Sequence, residues 1–537
     1  MGGAVLVSSS WFLSKLLGFL RERLIASKFG VSPETDAYNA AFGVPDFIYG
    51  TLILGSLLSV FIPVYINYRE KQGNEEAFKV ANSILNLIML VFLICGVLLF
   101  VFAPQMMRLI APGFDAVRNA AAVDMTRIIS INIFLFGISN VLSGILNASK
   151  KFLAFSLAPV LYNVGIIFGI VVLVPRFGVE GIAIGSVIGA VMHVLIQVPS
   201  VLKTGFRYRR VIDCAHQGVR EIGRLILPRA FGQSITQIDQ LVNVVIGSTL
   251  AVGSVTIFKW ANNIQDLPIT LIGVSLATVA FPLFSEALAR GDRAAFVRHF
   301  SDVVRKILFL VIPATVLFLT LRAQAVRVIL GAGRFDWNAT YLTANALGFF
   351  ALSFFAQSLI PVLARSFYAM RDTATPVKLT VIAVALDIIG SFAFARGFHI
   401  GSYVFHGLGV RGLALSYSVS SVIGMLLMYT VLRMRLGDLD DDRIIRTIVK
   451  VVGASALMTL LIQGVKFTVV RFGVTLDTGF GVLTQLIIAG GIGVFGYIWF
   501  AAAFGLEEVG AIKTWYFGMV RQLKNGTKRN GDGANGE

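Results

Sequence analysis

The residues able to do chemistry in this chain are ionisable and amide side chains set inside long apolar runs. Lys15 and Arg21, followed by Glu22 and Arg23, interrupt the run 3–29. Asp36 and Asp46 bracket the start of the next run, where Pro45 breaks a helix. Asp239 and Asn243 lie one turn apart on one helical face, and Asp387 stands in the segment TVIAVALDIIGSF. Lys259, Asn262, Asn263, Gln265 and Asp266 form a polar stretch before Pro268. A charge at the centre of a membrane span costs roughly 2.5–3.5 kcal/mol on insertion scales, so each such group implies a wet cavity or a partner. Lys and Arg suit phosphate oxygens through charge-assisted hydrogen bonds. The carboxylate and amide oxygens of Asp239, Asn243 and Asp387 are hard donors suited to a coupling ion, Na+ or H+.

Each group also has a purely structural reading. Arg21 and Glu22 can snorkel to an interface, and Asp36 can cap a helix. Asp239 and Asp387 can each pair with a Lys or Arg, or hydrogen-bond as neutral acids. The stretch around Lys259 can be an interfacial segment at a helix end.

Other chemistries find no residues. GxxxxGK[ST] is absent, which argues against ATP hydrolysis, and no HExxH or Ser/His/Asp order is visible. The five histidines, His193 among them, have no metal-ligand spacing. Cys95 and Cys214 suggest neither a metal site nor a disulfide. The expectation is a transporter with no resident cofactor, not an enzyme.

The elements that must position these groups are transmembrane helices. The 537 residues are 56% hydrophobic and only 14% charged, where soluble domains carry about 25% charged residues. Mean hydropathy is +0.80. Apolar runs of 18 or more residues recur, each able to cross roughly 30 Å of hydrocarbon as a helix. They are continuous rather than alternating, which excludes a β-barrel. The fold class expected is an all-α polytopic membrane protein with about fourteen transmembrane helices. The net charge of +17 does not imply nucleic acid. With the N-terminus inside, inner loops carry about twice the Lys and Arg of outer loops, as the positive-inside rule requires. The clusters Lys203 to Arg224, Arg290 to Lys306 and Arg433 to Lys450 suit anionic membrane lipid. No cleavable signal pattern precedes the first helix. Lys524 to Glu537 read as a disordered tail.

An internal repeat organises the chain. LLSVFIPVY (57–65) matches LATVAFPLF (276–284), placing Pro63 on Pro282. Gln105 and Arg108 meet Gln324 and Arg327 at the same offset. LNASKK (146–151) faces FYAMRD (367–372), and GVEGIAIG (178–185) faces GVRGLALS (409–416). Six helices separate the copies, so they are parallel repeats about an axis along the membrane normal. The expected organisation is a six-helix bundle (1–202), a basic cytoplasmic linker (203–221), a second six-helix bundle (222–432), two additional helices (433–505) and a cytoplasmic tail (506–537). Rocking one bundle against the other would open a central space to alternate sides. Gly165, Gly169, Gly181, Gly185 and Gly189 fit close helix packing.

On SKLLGFLRE (14–22), FGVSPETDAYNAAFGVPDF (29–47), APGF (111–114), GILNASKKF (144–152) and FYAMRDTATPVK (367–378), the chain resembles the MurJ/MviN lipid II flippases of the MOP (MATE-like) exporter superfamily. The resemblance runs over nearly the whole chain. It implies movement of an undecaprenyl-pyrophosphate-linked peptidoglycan precursor from the inner to the outer leaflet of the bacterial inner membrane, and a place in cell-wall biogenesis. Its substrate groups would fall on Lys15, Arg21, Asp36, Asp46, Lys259 and Asn263, and its ion-coupling groups on Asp239, Asn243 and Asp387. The chain departs from the family pattern at Lys15, where Arg is usual. It departs also at Tyr49, Leu54 and Asn263, where members often have Arg, an acid and a basic residue; Lys259 stands one turn before Asn263. The partners implied are the lipid-linked precursor and membrane lipids, with the chain a monomer. Alternatives are a flippase for another polyprenyl-linked glycan, a cation-coupled small-molecule exporter, a polyprenyl glycosyltransferase and a nontransporting scaffold. The glycosyltransferase would need an Asp/His/Glu cluster at one membrane face, and the sequence has none.

Overall fold

The computed structural model describes residues 2–400 and 403–510. In chain order the helices are α1 (Gly2–Phe29), α2 (Pro33–Ala41), α3 (Gly43–Tyr49), α4 (Leu58–Gln72), α5 (Asn74–Ile110), α6 (Ala116–Ala148), α7 (Phe152–Phe168), α8 (Val174–Phe177), α9 (Glu180–Leu195) and α10 (Val198–Leu202). There follow α11 (Gln217–Ser248), α12 (Ser254–Pro268), α13 (Ser275–Ala289), α14 (Arg293–Leu330), α15 (Trp337–Ala351), α16 (Phe354–Ala369) and α17 (Ala374–Arg396). A short antiparallel hairpin, β1 (Gly397–Ile400) and β2 (Tyr403–His406), precedes α18 (Val410–Leu436), α19 (Asp441–Arg471) and α20 (Gly479–Ala503). Three π-helical segments, Gly50–Leu57, Gly169–Leu173 and Ile269–Val274, interrupt the run of α-helix.

This is an all-α multi-pass membrane protein. Among the described residues ten helices are long and apolar enough to cross a membrane, or eleven if α15 and α16, bent by 45°, form one span. Helix α1, the broken run α2–α4 and helix α11 fall outside that set. α1 carries Lys15, Arg21, Glu22, Arg23 and Lys28, and α11 carries Gln233, Gln237, Asp239, Gln240 and Asn243.

The chain divides into two compact units. The first comprises residues 1–262, 329–346 and 380–420. One apolar core joins α4, α5 and α6 through Phe61, Tyr65, Val80, Ile84, Ile145 and Leu146. Local signals set its breaks. Ser32 and Thr35 form a reciprocal capping box before α2, with Pro33 in the first turn. Helix α7 and the π-helical segment after it touch α9 through glycine. A Cβ on Gly165 would stand 2.3 Å from Gly189 Cα, and one on Gly169 2.6 Å from Gly185 Cα. The five glycines expected to pack closely do so, since only a bare Cα permits that approach in lipid.

The second unit comprises residues 263–328, 347–379 and 421–537, described here to residue 510. Its core joins α14, α19 and α20 through Phe309, Val451, Met458, Ile462 and Tyr497, whose hydroxyl donates to the Phe309 carbonyl at 2.7 Å. The π-helical segment Ile269–Val274 lies against α16, where a Cβ on Gly273 would meet Ser358 Cα at 2.6 Å. The tail expected to be disordered lies outside the described residues.

The repeat read from sequence recurs in the backbone. Helices α5 and α14 begin 219 residues apart, at Asn74 and Arg293, and the π-helical segments Gly50–Leu57 and Ile269–Val274 begin at that same offset. Pro63 and Pro282 both lie inside helices. Lys150 and Arg371, matched in LNASKK and FYAMRD, take left-handed φ of 57° and 61°. Gly178 and Gly409, which open the other matched pair, take φ of 57° and 59°. A non-glycine residue at positive φ is uncommon, so its recurrence at a matched position marks common backbone design.

Candidate functional site

The polar residues of α2, α3, α11 and α12 converge within the first unit. Asn39, Asp46, Gln237, Asn243, Lys259 and Asn262 line one cavity of about 40 Å³, with Leu241, Val255 and Phe258 among its apolar wall. That volume has room for a few waters and not for a sugar-pyrophosphate head group. Gly50 permits α11 to approach, since a Cβ there would fall 2.4 Å from Gln237 Nε2.

Arg21 sits in a network beside this cavity. Its Nη1 donates to Asn163 Oδ1 at 3.0 Å and its Nη2 to Glu22 Oε1 at 2.6 Å. Trp260 Nε1 donates to the other Glu22 oxygen at 2.9 Å. Glu22 and Trp260 are buried, and Asn163 also donates to the Ser14 carbonyl at 3.2 Å. The network ties α1 to α7 and α12. Lys15 lies 5.8 Å over the Trp11 ring, within cation–π range.

Asp36 performs a clasp. Only 1% exposed, it accepts from Gly253 N at 2.6 Å, Thr256 N at 3.0 Å and Thr256 Oγ1 at 2.7 Å. It thereby caps the first turn of α12 from a distant helix, where negative charge is favoured. The sequence allowed Asp36 a capping role; the helix it caps is α12.

Asp239, Asn243 and Asp387 come together in the first unit. All three are buried. Asn243 Nδ2 donates to Asp387 Oδ2 at 3.3 Å, and Ser391 Oγ to Asn243 Oδ1 at 3.4 Å. Ser416 Oγ donates to the Asp387 carbonyl at 2.7 Å. Asp239 Oδ1 and Asp387 Oδ1 are buried without a hydrogen-bond partner. Buried carboxyl oxygens without a donor call for a cation or a proton. The two unpartnered carboxyl oxygens are hard donors that suit a small hard cation. Among the described residues no group of three His, Cys, Asp or Glu forms a metal site.

Of the sequence candidates, Asp46 and Lys259 share the cavity, and Asn243 belongs both to its wall and to the carboxyl cluster. Asn262 lines the cavity, while Asn263 is half-buried and outside its wall. Tyr49 packs its ring 5.0 Å from Phe136, and the Leu54 side chain lies outside the described residues. Sequence reasoning missed Gln237, Trp260, Asn163 and Ser416. Gln233, Gln237 and Gln240 form a polar stripe at helical spacing that would have singled out the first; the others carry no local signal.

A family model described as lipid II flippase MurJ matches residues 25–481. A lipid II flippase MurJ of Burkholderia cenocepacia is 28% identical over 468 residues, covering 85% of this chain and 88% of that one. Among solved structures, a lipid II flippase MurJ in an inward closed conformation is 26% identical with a TM-score of 0.76, covering 93% of this chain and 98% of the other. An inward-facing MATE-family transporter of the MOP superfamily shares the fold at 17% identity and a TM-score of 0.67, covering 82% of this chain and 99% of the other.

Proposed function

The chain belongs to the MurJ lipid II flippase family, and from that membership we infer that it moves lipid II from the inner to the outer leaflet by alternating access. It is a transporter with no catalytic chemistry of its own. The observation that carries the mechanism is the polar cavity walled by Asp46, Lys259 and Gln237 within a membrane protein. Lys259 meets a pyrophosphate oxygen with a charge-assisted hydrogen bond, and Asp46 in the same cavity wall offsets its charge between cycles. Arg21 supplies a second positive charge behind the wall, while Glu22 and Asn163 fix its orientation. Lys15, on the same helix as Arg21, extends the head-group path, and Asp36 keeps α12 and its Lys259 in register. The polyprenyl tail stays in the bilayer while the head crosses. A cavity of about 40 Å³ must widen to admit the head group, which is what alternating access supplies.

The carboxyl cluster is the coupling site. Na+ or H+ neutralises Asp239 and Asp387, and Asn243, being common to the cluster and the cavity wall, links ion binding to substrate. Adding α1, the run α2–α4 and α11 to eleven apolar spans makes fourteen crossings in two pseudo-symmetric six-helix bundles plus α19 and α20. An even number of crossings puts both termini on one side, and the basic loops put that side in the cytoplasm of a bacterial inner membrane. The test is genetic. Cells depleted of their own flippase and supplied with this gene regain lipid II in the outer leaflet, and lose it again with Lys259→Ala. Failure of the parent gene to restore outer-leaflet lipid II overturns the reading.

A further inference from the structure

A second polar cavity, of about 160 Å³, lies in the second unit where α19 begins and α20 has ended. Its charged walls are Arg305 of α14, Arg443, Arg446 and Lys450 of α19, and Glu507 and Glu508. Arg443 Nη2 donates to Glu507 Oε2 at 2.5 Å, and Arg305 Nη1 to Glu508 Oε1 at 2.6 Å. Four cations against two carboxylates leave the lining positive. Arg446 and Lys450 use only backbone carbonyls, those of Asp442 at 3.2 Å and Gly505 at 3.3 Å.

Two buried atoms here are unsatisfied. Arg305 and Glu508 are each 6% exposed, and Arg305 Nε and Glu508 Oε2 have no hydrogen-bond partner. A buried polar group without a partner is costly, so both atoms call for a complement. The wall asks for an anion at Arg446 and Lys450 and for a hydrogen-bond donor at Glu508. Next to the basic residues, Val449 and Val452 of α19 are 66% and 50% exposed, on a helix apolar enough to cross a membrane.

The geometry points to a binding site for a bilayer phospholipid whose phosphodiester meets Arg446 and Lys450 and whose headgroup donor, an ammonium or glycerol hydroxyl, meets Glu508. The exposed valines favour a lipid over free phosphate, because an acyl chain covers them while the head group fills the cavity. This lipid is resident and distinct from the transported substrate, and the inference stands independently of what the protein flips. Basic pockets at the bilayer interface between helices bind phosphate head groups in this way.

The experiment is native mass spectrometry of the full chain purified in detergent, with added dioleoyl phosphatidylethanolamine, phosphatidylglycerol or phosphatidylcholine. The first two lipids survive as adducts, and phosphatidylcholine, whose trimethylammonium has no N–H to donate, is retained several-fold less. Arg446→Gln with Lys450→Gln weakens retention of both favoured lipids by about tenfold or more. The charge-preserving pair Arg446→Lys with Lys450→Arg retains them, which separates loss of the site from loss of fold. Equal retention by the Gln variant, or equal retention of all three lipids, overturns the proposal. Displacement of the lipids by millimolar inorganic phosphate, with the same stabilisation against heat, assigns the cavity to free phosphate and also overturns it.

Discussion

Trp260 on α12 donates its indole N–H to Glu22 Oε2 on α1 at 2.9 Å, while Arg21 occupies the other oxygen of the same carboxylate at 2.6 Å. Trp260→Phe keeps most of the ring volume and removes the donor. Glu22 then keeps a buried oxygen with no partner, at a cost of about 1–3 kcal/mol. Purified Trp260→Phe protein is expected to unfold at a lower temperature than the parent in the same detergent. An unchanged unfolding temperature would mean that water replaces the indole at no cost.

The Asp36 clasp gives a second stability prediction. Asp36→Asn removes the charge and one acceptor oxygen facing the amides of Gly253 and Thr256. Hydrogen bonds to a charged group contribute about 1.5–3 kcal/mol each, so the loss exceeds that of Thr256→Val, which removes the hydroxyl alone. The order of unfolding temperatures is expected to be parent, Thr256→Val, Asp36→Asn. Hydrogen exchange should localise the Asp36→Asn loss to the first turn of α12.

Ion coupling predicts stabilisation by ligand. If Na+ fills the cluster, replacing choline chloride with sodium chloride raises the unfolding temperature of the parent, since a ligand bound only to the native state stabilises it. Asp239→Asn and Asp387→Asn abolish that sodium-dependent rise. A parent indifferent to sodium, with transport that follows external pH, assigns the site to a proton.

The loop between α16 and α17 should show a defined acid limit. The Thr375 hydroxyl and amide, with Arg435, hold the Asp372 carboxyl below its usual range. A depressed folded value means the clasp is fully formed above the ordinary Asp value and lost only as pH falls through the folded one. The Arg435–Asp372 contact of 2.5 Å therefore persists at pH 4. Hydrogen exchange over 370–376 is expected to be flat from pH 7 to 4 after correction for the chemical rate, and Asp372→Asn to exchange faster throughout.

Much of this architecture was legible in sequence. Apolar runs announce spans because composition alone governs partition into lipid. The repeat was legible because its matched residues are backbone devices, including the left-handed turns at Lys150 and Arg371 and the helix-internal Pro63 and Pro282. The cost of a polar group alone in lipid marked Asp239, Asn243 and Asp387 as needing partners, and left open which partners those would be. Partner choice was not legible. Nothing near Arg21 points to Asn163, and nothing near Asp36 points to Gly253, because those pairings are set by how helices far apart in sequence pack. The π-helical segments carry no residue signature of their own. They are visible only as breaks in the helical run.

The most direct test of the central claim is the rate of lipid II translocation in proteoliposomes holding the purified chain, compared across the parent, Lys259→Arg and Lys259→Ala. The parent is expected to expose fluorescent lipid II to an external reagent. Lys259→Arg should retain a substantial part of that rate and Lys259→Ala lose about tenfold or more, as the loss of a charge-assisted contact to phosphate implies. Equal rates for the parent and Lys259→Ala, in protein of equal stability, would contradict the account.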